Sequence, residues 1–353
     1  MKYKKDQIVI AASKAPDTSI CLIYTGGTLG MVHNDNGALI PFDFSSILEH
    51  VPSLRQLQLN LSVIAFNEPI DSSDITIEDW VDIGRVIKDH YDEFDGFVVL
   101  HGTDTMAFTA SALSLMLENL AKPVIFTGAQ LPISSLRSDA RENLITAIEI
   151  ASGSGYHVPE VCIYFDYVLL RGNRSKKVES IHFDAFESEN YPVMAESGVV
   201  INFNSAAIRQ ADLSKPLIFH ENFDNNVALL KLYPGITPAA VKAILKIEGL
   251  RGVVMETFGA GNAPTSAWFI ELLTEARKNG IVIVNVSQCS GGRVVQGRYG
   301  TSELLKSIDV IEGADLTLEA AMAKLMMILA EEVDFETIRK RFLAPVSGEL
   351  TIN

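Results

Sequence analysis

Long apolar runs, paired cysteines and an excess of basic residues are all missing from this chain, and each absence removes a class of function. Nowhere do about eighteen consecutive apolar residues occur, so no segment reads as a bilayer-spanning helix. The three cysteines, Cys21, Cys162 and Cys289, are an odd set, each in or at the end of an apolar strand-like run. They read as reduced thiols that pack as small hydrophobes rather than as a disulfide framework. With 29 Lys and Arg against 44 Asp and Glu, the net charge is -15. A field of that sign repels phosphate backbones and anionic lipid, so neither nucleic acid nor a membrane is an expected partner. The patterns G-x-G-x-x-G and G-x-x-x-x-G-K-[ST] are absent, which argues against dinucleotide and phosphate loops. The seven histidines show no H-E-x-x-H or other zinc spacing, and no metal is expected. The basic start Met1-Lys2-Tyr3-Lys4-Lys5 is followed by an apolar stretch, Ile8 to Ala12, too short for a signal-peptide core. A cytoplasmic protein is the expectation.

What remains is a chain of 353 residues, 48% hydrophobic, longer than one typical core accommodates, which points to two domains. Short β-branched runs alternate with amphipathic stretches, the pattern of βαβ units feeding a mostly parallel sheet. Strands are expected at Ile20 to Tyr24, Leu61 to Phe66, Gly96 to Leu100, Val124 to Thr127 and Val161 to Phe165. Helices are expected behind the Thr76/Asp79 capping box, after Asp104, and after Ser138 or Asp139. Turn formers and charge interrupt the periodicity from Gln210 to Asn226, the expected linker between an N-terminal catalytic domain (1–209) and a smaller C-terminal α/β domain (227–353). In the second domain, strands Val227 to Leu232, Gly252 to Thr257 and Ile281 to Ser287 alternate with helices opened by Thr237-Pro238, Pro264, Thr317 and Asp334. The fold class is therefore α/β: a larger N-terminal open sheet with flanking helices, plus a smaller C-terminal α/β domain.

Two Gly-punctuated threonine motifs carry the chemistry. Thr25-Gly26-Gly27-Thr28-Leu29-Gly30 follows one strand and His101-Gly102-Thr103-Asp104-Thr105-Met106 follows another. Carboxyl ends of strands in an open α/β sheet are where ligands bind, and Gly lets the backbone turn sharply there. Thr28 can thus face a crevice in which backbone N–H groups converge as an oxyanion hole, although Gly-Gly also serves as simple turn geometry. Thr103 beside Asp104 begins a relay if a base is close; Asp104 as a helix N-cap is the plainer alternative. A basic cluster, Arg171-Gly172-Asn173-Arg174-Ser175-Lys176-Lys177, follows the apolar run Tyr167 to Leu170, and it could supply that base or form a solvated loop. His101 reads as a satisfied structural histidine and takes no role.

Together these segments resemble the bacterial-type L-asparaginases, in particular the cytoplasmic type I branch. The likeness runs from about Thr18 onward through both threonine motifs, Asp71-Ser72-Ser73-Asp74, Arg137-Ser138-Asp139, Arg171 to Lys177, Gly259 to Pro264 and Ser287-Gln288-Cys289. The resemblance implies hydrolysis of L-asparagine to L-aspartate and ammonia, without metal or cofactor. In it, Thr28 matches the threonine that attacks the side-chain amide, and Thr103, Asp104 and Lys177 match the second triad. Asp71, Ser72 and Ser73 match the turn that holds the substrate's α-carboxylate and α-amino groups, with Thr103 and Asp104 also facing substrate. It further implies a homodimer or homotetramer. Many relatives carry a tyrosine on the loop after the first motif, whereas Gly37-Ala38-Leu39-Ile40-Pro41 has none; Tyr299 from the Gly-rich stretch 291–300 is the candidate to activate Thr28, with a surface tyrosine on a turn as the plainer alternative. Two other readings are a non-catalytic amino-acid-binding module and the ammonia-releasing subunit of a tRNA-dependent amidotransferase; the second calls for a basic surface that the net charge of -15 does not offer.

Overall fold

The apolar runs of the first half of the chain become neighbouring strands of one sheet. The computed structural model describes residues 3–6, 18–33, 39–41, 47–297 and 300–352. These fall into two units, Met1–Phe219 and His220–Asn353, and the expected α/β class holds in both.

In the first unit the elements run β1 (Tyr3–Asp6), β2 (Ser19–Gly26), β3 (Asn60–Ile70), α1 (Ile77–Asp89), β4 (Gly96–Leu100), α2 (Met106–Met116), β5 (Val124–Thr127), α3 (Ala140–Ala151), β6 (Val161–Phe165) and β7 (Val168–Arg171). After them come β8 (Lys176–Lys177), β9 (Phe186–Glu187), β10 (Ala195–Ser197) and β11 (Ile201–Phe203). The main sheet has nine strands in the order β1-β3-β2-β4-β5-β6-β7-β10-β11. Its centre, β3-β2-β4-β5-β6, is parallel, while β1 and the strands from β7 outward pair antiparallel. Parallel strands covered on both faces read as continuous apolar runs, and β4 and β6 are buried at every residue.

Helix starts follow their caps. Thr76 accepts from the Asp79 N–H while its own N–H donates to the Asp79 carboxylate, the reciprocal pair that the sequence spacing predicts. The helix after the second motif differs from expectation in two ways. Its N-cap is Thr105, so Asp104 is not the cap. Ten of its residues are buried, because it lies inside the unit and is apolar all round rather than on one face. Asp139 stands at the start of α3 but makes no cap bond; its carboxylate is used elsewhere.

The chain moves from β2 outward to β3, then crosses back over β2 to β4. That reversal places a topological switch between the carboxyl ends of β2 and β4, where an open α/β sheet forms its crevice. Both threonine motifs begin there.

The second unit repeats the logic on a smaller scale: β12 (Val227–Lys231), α4 (Pro238–Leu245), β13 (Gly252–Thr257), α5 (Ala267–Lys278), β14 (Val282–Ser287), β15 (Ile311–Glu312), α6 (Leu318–Glu331) and α7 (Phe335–Leu343). Its four strands are parallel and lie in chain order. Thr237, Thr317 and Asp334 each accept a backbone N–H at a helix start, as their positions predict. At the junction, Ile218–Phe219 pairs with Leu117–Glu118, so the chain stays with the first unit to that point. In the second, the Asp224 carboxylate gathers the Asn226 N–H and the Arg251 guanidinium.

Candidate active site

Gly26 and Gly27 carry β2 into the crevice with φ of 137° and 86°, backbone geometry that other residues rarely adopt. Side chains are also excluded there by space. A methyl group on Gly27 would stand 2.6 Å from the Gly102 nitrogen and 2.8 Å from its Cα. One on Gly102 would run into the Ser72 hydroxyl, and one on Gly26 into the Ile70 carbonyl. Three segments far apart in the sequence, 26–28, 70–73 and 101–103, are therefore in backbone contact. Thr28, the first residue of a short 3-10 turn, is half-buried beside this contact.

The fourth segment arrives with its lysine held in place. Arg171, at the end of β7, forms a buried two-pronged pair with Glu160, Nε to Oε2 at 2.6 Å and Nη2 to Oε1 at 3.1 Å. Glu160 also accepts the Arg209 N–H, and the Ser175 hydroxyl donates to the Arg171 carbonyl. Gly172 lies where a Cβ would be 3.0 Å from that of Ala110 on α2. The turn so fixed leads into β8, from which the Lys177 Nζ donates to the Thr103 hydroxyl at 2.8 Å and to the Asp104 carboxylate at 2.6 Å. Asp104 is open to solvent, its side chain 63% exposed against 17% for Lys177, so it can take a second cation on its open face.

Around this triad the remaining groups are ordered. Asp71 accepts both the N–H and the hydroxyl of Ser73, which hold its carboxyl below the ordinary carboxylate range. Ser72 is buried, and its carbonyl accepts the Thr105 hydroxyl at 2.6 Å. His101 is buried, its two ring nitrogens engaged by the Gly102 carbonyl and the Thr109 hydroxyl, and burial draws its pKa down to about 4. Tyr24 lies beneath the first motif with its hydroxyl donating to the Gly30 carbonyl, and burial pushes its pKa up to about 12. Gly30 is packed against that ring, with no room for a Cβ. Tyr299 and Gly37 lie outside the described residues. Cys289 departs from expectation: it is exposed just past β14, whereas Cys21 and Cys162 are buried.

One residue without an assigned part in the sequence reading belongs here. Gln130 accepts from the Thr103 hydroxyl at 3.4 Å and donates to the His182 carbonyl at 3.0 Å. Asp139 steadies its loop by accepting the N–H groups of Gln130 and Leu131. The signal was its place just beyond β5, a third strand end of the same edge.

The arrangement offers a hydroxyl beside a Gly-Gly turn, a second hydroxyl coupled to an ammonium-carboxylate pair, and a capped acidic turn. Residues 19–209 match the family model described as Asparaginase, N-terminal, and residues 226–342 that of the Glutaminase/Asparaginase C-terminal domain. The chain belongs to the asparaginase family. It is similar to L-asparaginase 1 of Escherichia coli strain K12, 41% identical over 336 residues that span 94% of this chain and 98% of that protein. Its fold matches L-asparaginase I from Vibrio cholerae, with TM-score 0.86, 36% identity and 95% and 99% of the two chains covered. It also matches the thermostable L-asparaginase from Thermococcus kodakarensis, with TM-score 0.88, 32% identity and 95% and 100% covered. As a member of this family the chain is an amidohydrolase, with the fold class these matches share. Among the described residues no helix is long and apolar enough to cross a membrane.

Proposed function

We propose that the chain hydrolyses L-asparagine to L-aspartate and ammonia, with Thr28 as nucleophile and Thr103, Asp104 and Lys177 as the proton relay. The observation that carries this reading is the Lys177 Nζ seated between the Thr103 hydroxyl and the Asp104 carboxylate, on the segment whose Gly102 touches Gly27. The Thr28 oxygen attacks the side-chain amide carbon, the carbonyl oxygen takes up the charge, and the proton lost by Thr28 leaves with the nitrogen as ammonia. The β-aspartyl ester on Thr28 is then cleaved by water that Thr103, polarised by Lys177, holds in place, and the Thr28 hydroxyl is regenerated. Among the described residues neither the Thr28 N–H nor the Thr103 N–H has a hydrogen-bond partner, as donors for a developing oxyanion require. The turn Asp71-Ser72-Ser73 is assigned to the α-carboxylate and α-amino groups, with Asp104 as counter-ion for the ammonium. Tyr299 is assigned to activation of Thr28.

The same reading assigns catalysis to 1–209, joined through 210–226 to 227–353. It takes the chain as cytoplasmic, in keeping with three cysteines in the thiol state. The same reading takes the chain as a homodimer or homotetramer. The test is ammonia release from L-asparagine, L-glutamine and D-asparagine side by side. L-Asparagine is expected to give the highest kcat/KM and Thr28→Ala to abolish it; release that persists in Thr28→Ala overturns the nucleophile. Light scattering of the full chain checks the oligomer.

A further inference from the structure

His101 is part of the second threonine motif, yet no step above uses it. Its side chain is 2% exposed, with its ring tilted against Phe126 at 5.9 Å between centroids. Nδ1 lies 2.7 Å from the Gly102 carbonyl oxygen and Nε2 lies 3.0 Å from the Thr109 hydroxyl. A carbonyl oxygen can only accept, so Nδ1 carries the proton and donates; in the neutral ring that burial favours, Nε2 accepts the Thr109 O–H at 3.0 Å, while the other acceptor for that hydrogen, the Thr105 carbonyl, lies farther off at 3.4 Å. The ring is thereby fixed as one neutral tautomer, in keeping with the low pKa that burial gives it.

That tautomer acts on a particular peptide. The carbonyl held by Nδ1 belongs to the Gly102–Thr103 peptide unit, and no peptide bond among the described residues is cis. In a trans unit the C=O and the N–H point to opposite sides. By drawing the Gly102 oxygen into the core, the imidazole turns the Thr103 N–H away from the core, where it has no hydrogen-bond partner among the described residues. The same peptide follows the Gly102 backbone that lies against Gly27, the turn that presents Thr28. Gly102 has no side chain of its own to resist rotation of this plane.

We infer that His101 is a positioning residue: a neutral imidazole that sets the Gly102–Thr103 peptide plane and so aims the Thr103 N–H, with Thr109 fixing its tautomer. The inference rests on the hydrolase reading above. It goes beyond it in giving a buried histidine an effect on turnover rather than on folding alone.

Steady-state kinetics with L-asparagine on the full-length protein test it, with urea midpoints recorded for every variant. His101→Asn keeps an N–H donor near the Nδ1 position; His101→Leu removes it; Thr109→Val removes the hydrogen that fixes the tautomer. Since a net hydrogen bond is worth on the order of 1 kcal/mol and about 1.4 kcal/mol is tenfold in rate, kcat of His101→Leu is expected to fall roughly five- to tenfold. KM should stay within about twofold of the parent, kcat of His101→Asn should return most of the way, and Thr109→Val should fall between. A folded His101→Leu with parental kcat, or Asn and Leu variants equally impaired, overturns the inference. If the Leu variant does not fold, His101→Gln, whose amide reaches the Nε2 position instead, replaces it: Asn faster than Gln supports the inference and equality overturns it. Parental protein assayed in parallel separates the two levels, because failure of the parent to release ammonia overturns the hydrolase reading itself.

Discussion

Lys177 donates to both of its partners, and the proposed relay requires that it can also give a proton up. Replacing it with Met keeps the length of the side chain and removes the charge. General acid–base groups contribute about 10²- to 10⁴-fold, so kcat for L-asparagine is expected to drop by that order in Lys177→Met. Stability should change by under about 1 kcal/mol, since Asp104 is mostly exposed and such pairs are worth little. Lys177→Arg is expected to fail as well, because a guanidinium cannot release a proton at any working pH; an active Arg variant would remove residue 177 from the proton path. His101 yields a pH prediction. Its ordinary value is 6.5 and its folded value about 4, so between those limits the unfolded chain binds a proton that the folded chain refuses. Stability from this residue is therefore intact above pH 6.5 and lost as pH falls to 4, by about 3 kcal/mol. Urea unfolding of the parent and His101→Asn at pH 7 and pH 4.5 checks it: the parent should lose more. As candidates, Thr28, Thr103 and Asp104 are legible in the sequence because each stands at a strand end marked by Gly. Lys177 was not legible from composition, since what separates it from a solvated basic loop is the pairing of Arg171 with Glu160 eleven residues away. Gln130 has no titratable group, and its partner carbonyl, His182, is fifty-two positions on.

The elements show the same division between local and long-range causes. The parallel strands at Gly96–Leu100, Val124–Thr127 and Val161–Phe165 match the expected bounds, because strands covered on both faces read as near-continuous apolar runs. Caps at Thr76, Thr237, Thr317 and Asp334 were legible since each acts within three residues. The three-residue strands Ala195–Ser197 and Ile201–Phe203 were not: they are too short to show a period and are defined by what they pair with. Two glycines separate turn geometry from close approach. Gly235 has φ of 90° and nothing within 4 Å of where a methyl group would stand, whereas Gly27 has φ of 86° and the Gly102 backbone at 2.6 Å. Gly235→Ala is expected to cost only left-handed strain, about 1 to 2 kcal/mol, and to leave kcat alone. Gly27→Ala meets that strain and a backbone that cannot yield, so it should lower stability further and cut kcat/KM by at least about tenfold. Urea midpoints and kinetics on the two variants check the contrast; equal behaviour would mean that the two motifs are not in contact in solution.

At the scale of the whole molecule, every residue assigned to catalysis except Tyr299 lies in the first unit, and the second keeps its own apolar core on both faces of its sheet. Closing that core is a charge problem as well as a packing one. Lys324 on α6 is completely buried, as is Glu349 in the segment after α7, with Nζ and Oε1 2.6 Å apart. Lys324 also donates to the Ala344 carbonyl, and Glu349 accepts the Val346 and Ser347 N–H groups. Burial opposes ionisation of Glu349, but the ammonium and the backbone amides outweigh it and hold the carboxyl below its ordinary value. Such a pair is costly to break and cheap to replace whole. Lys324→Met, which leaves a carboxylate buried without its cation, is expected to cost about 3 to 5 kcal/mol, and Lys324→Met with Glu349→Leu to recover most of that. Lys246–Glu275, 51% exposed on both sides, supplies the surface comparison: Lys246→Met should cost under about 1 kcal/mol. A double-mutant cycle by urea unfolding measures the difference, and raising the salt concentration should weaken the surface pair while leaving the buried one unchanged. If Lys324→Met unfolds at the parental midpoint, the carboxylate has found a proton or water instead, and the segment after α7 is not held by this charge.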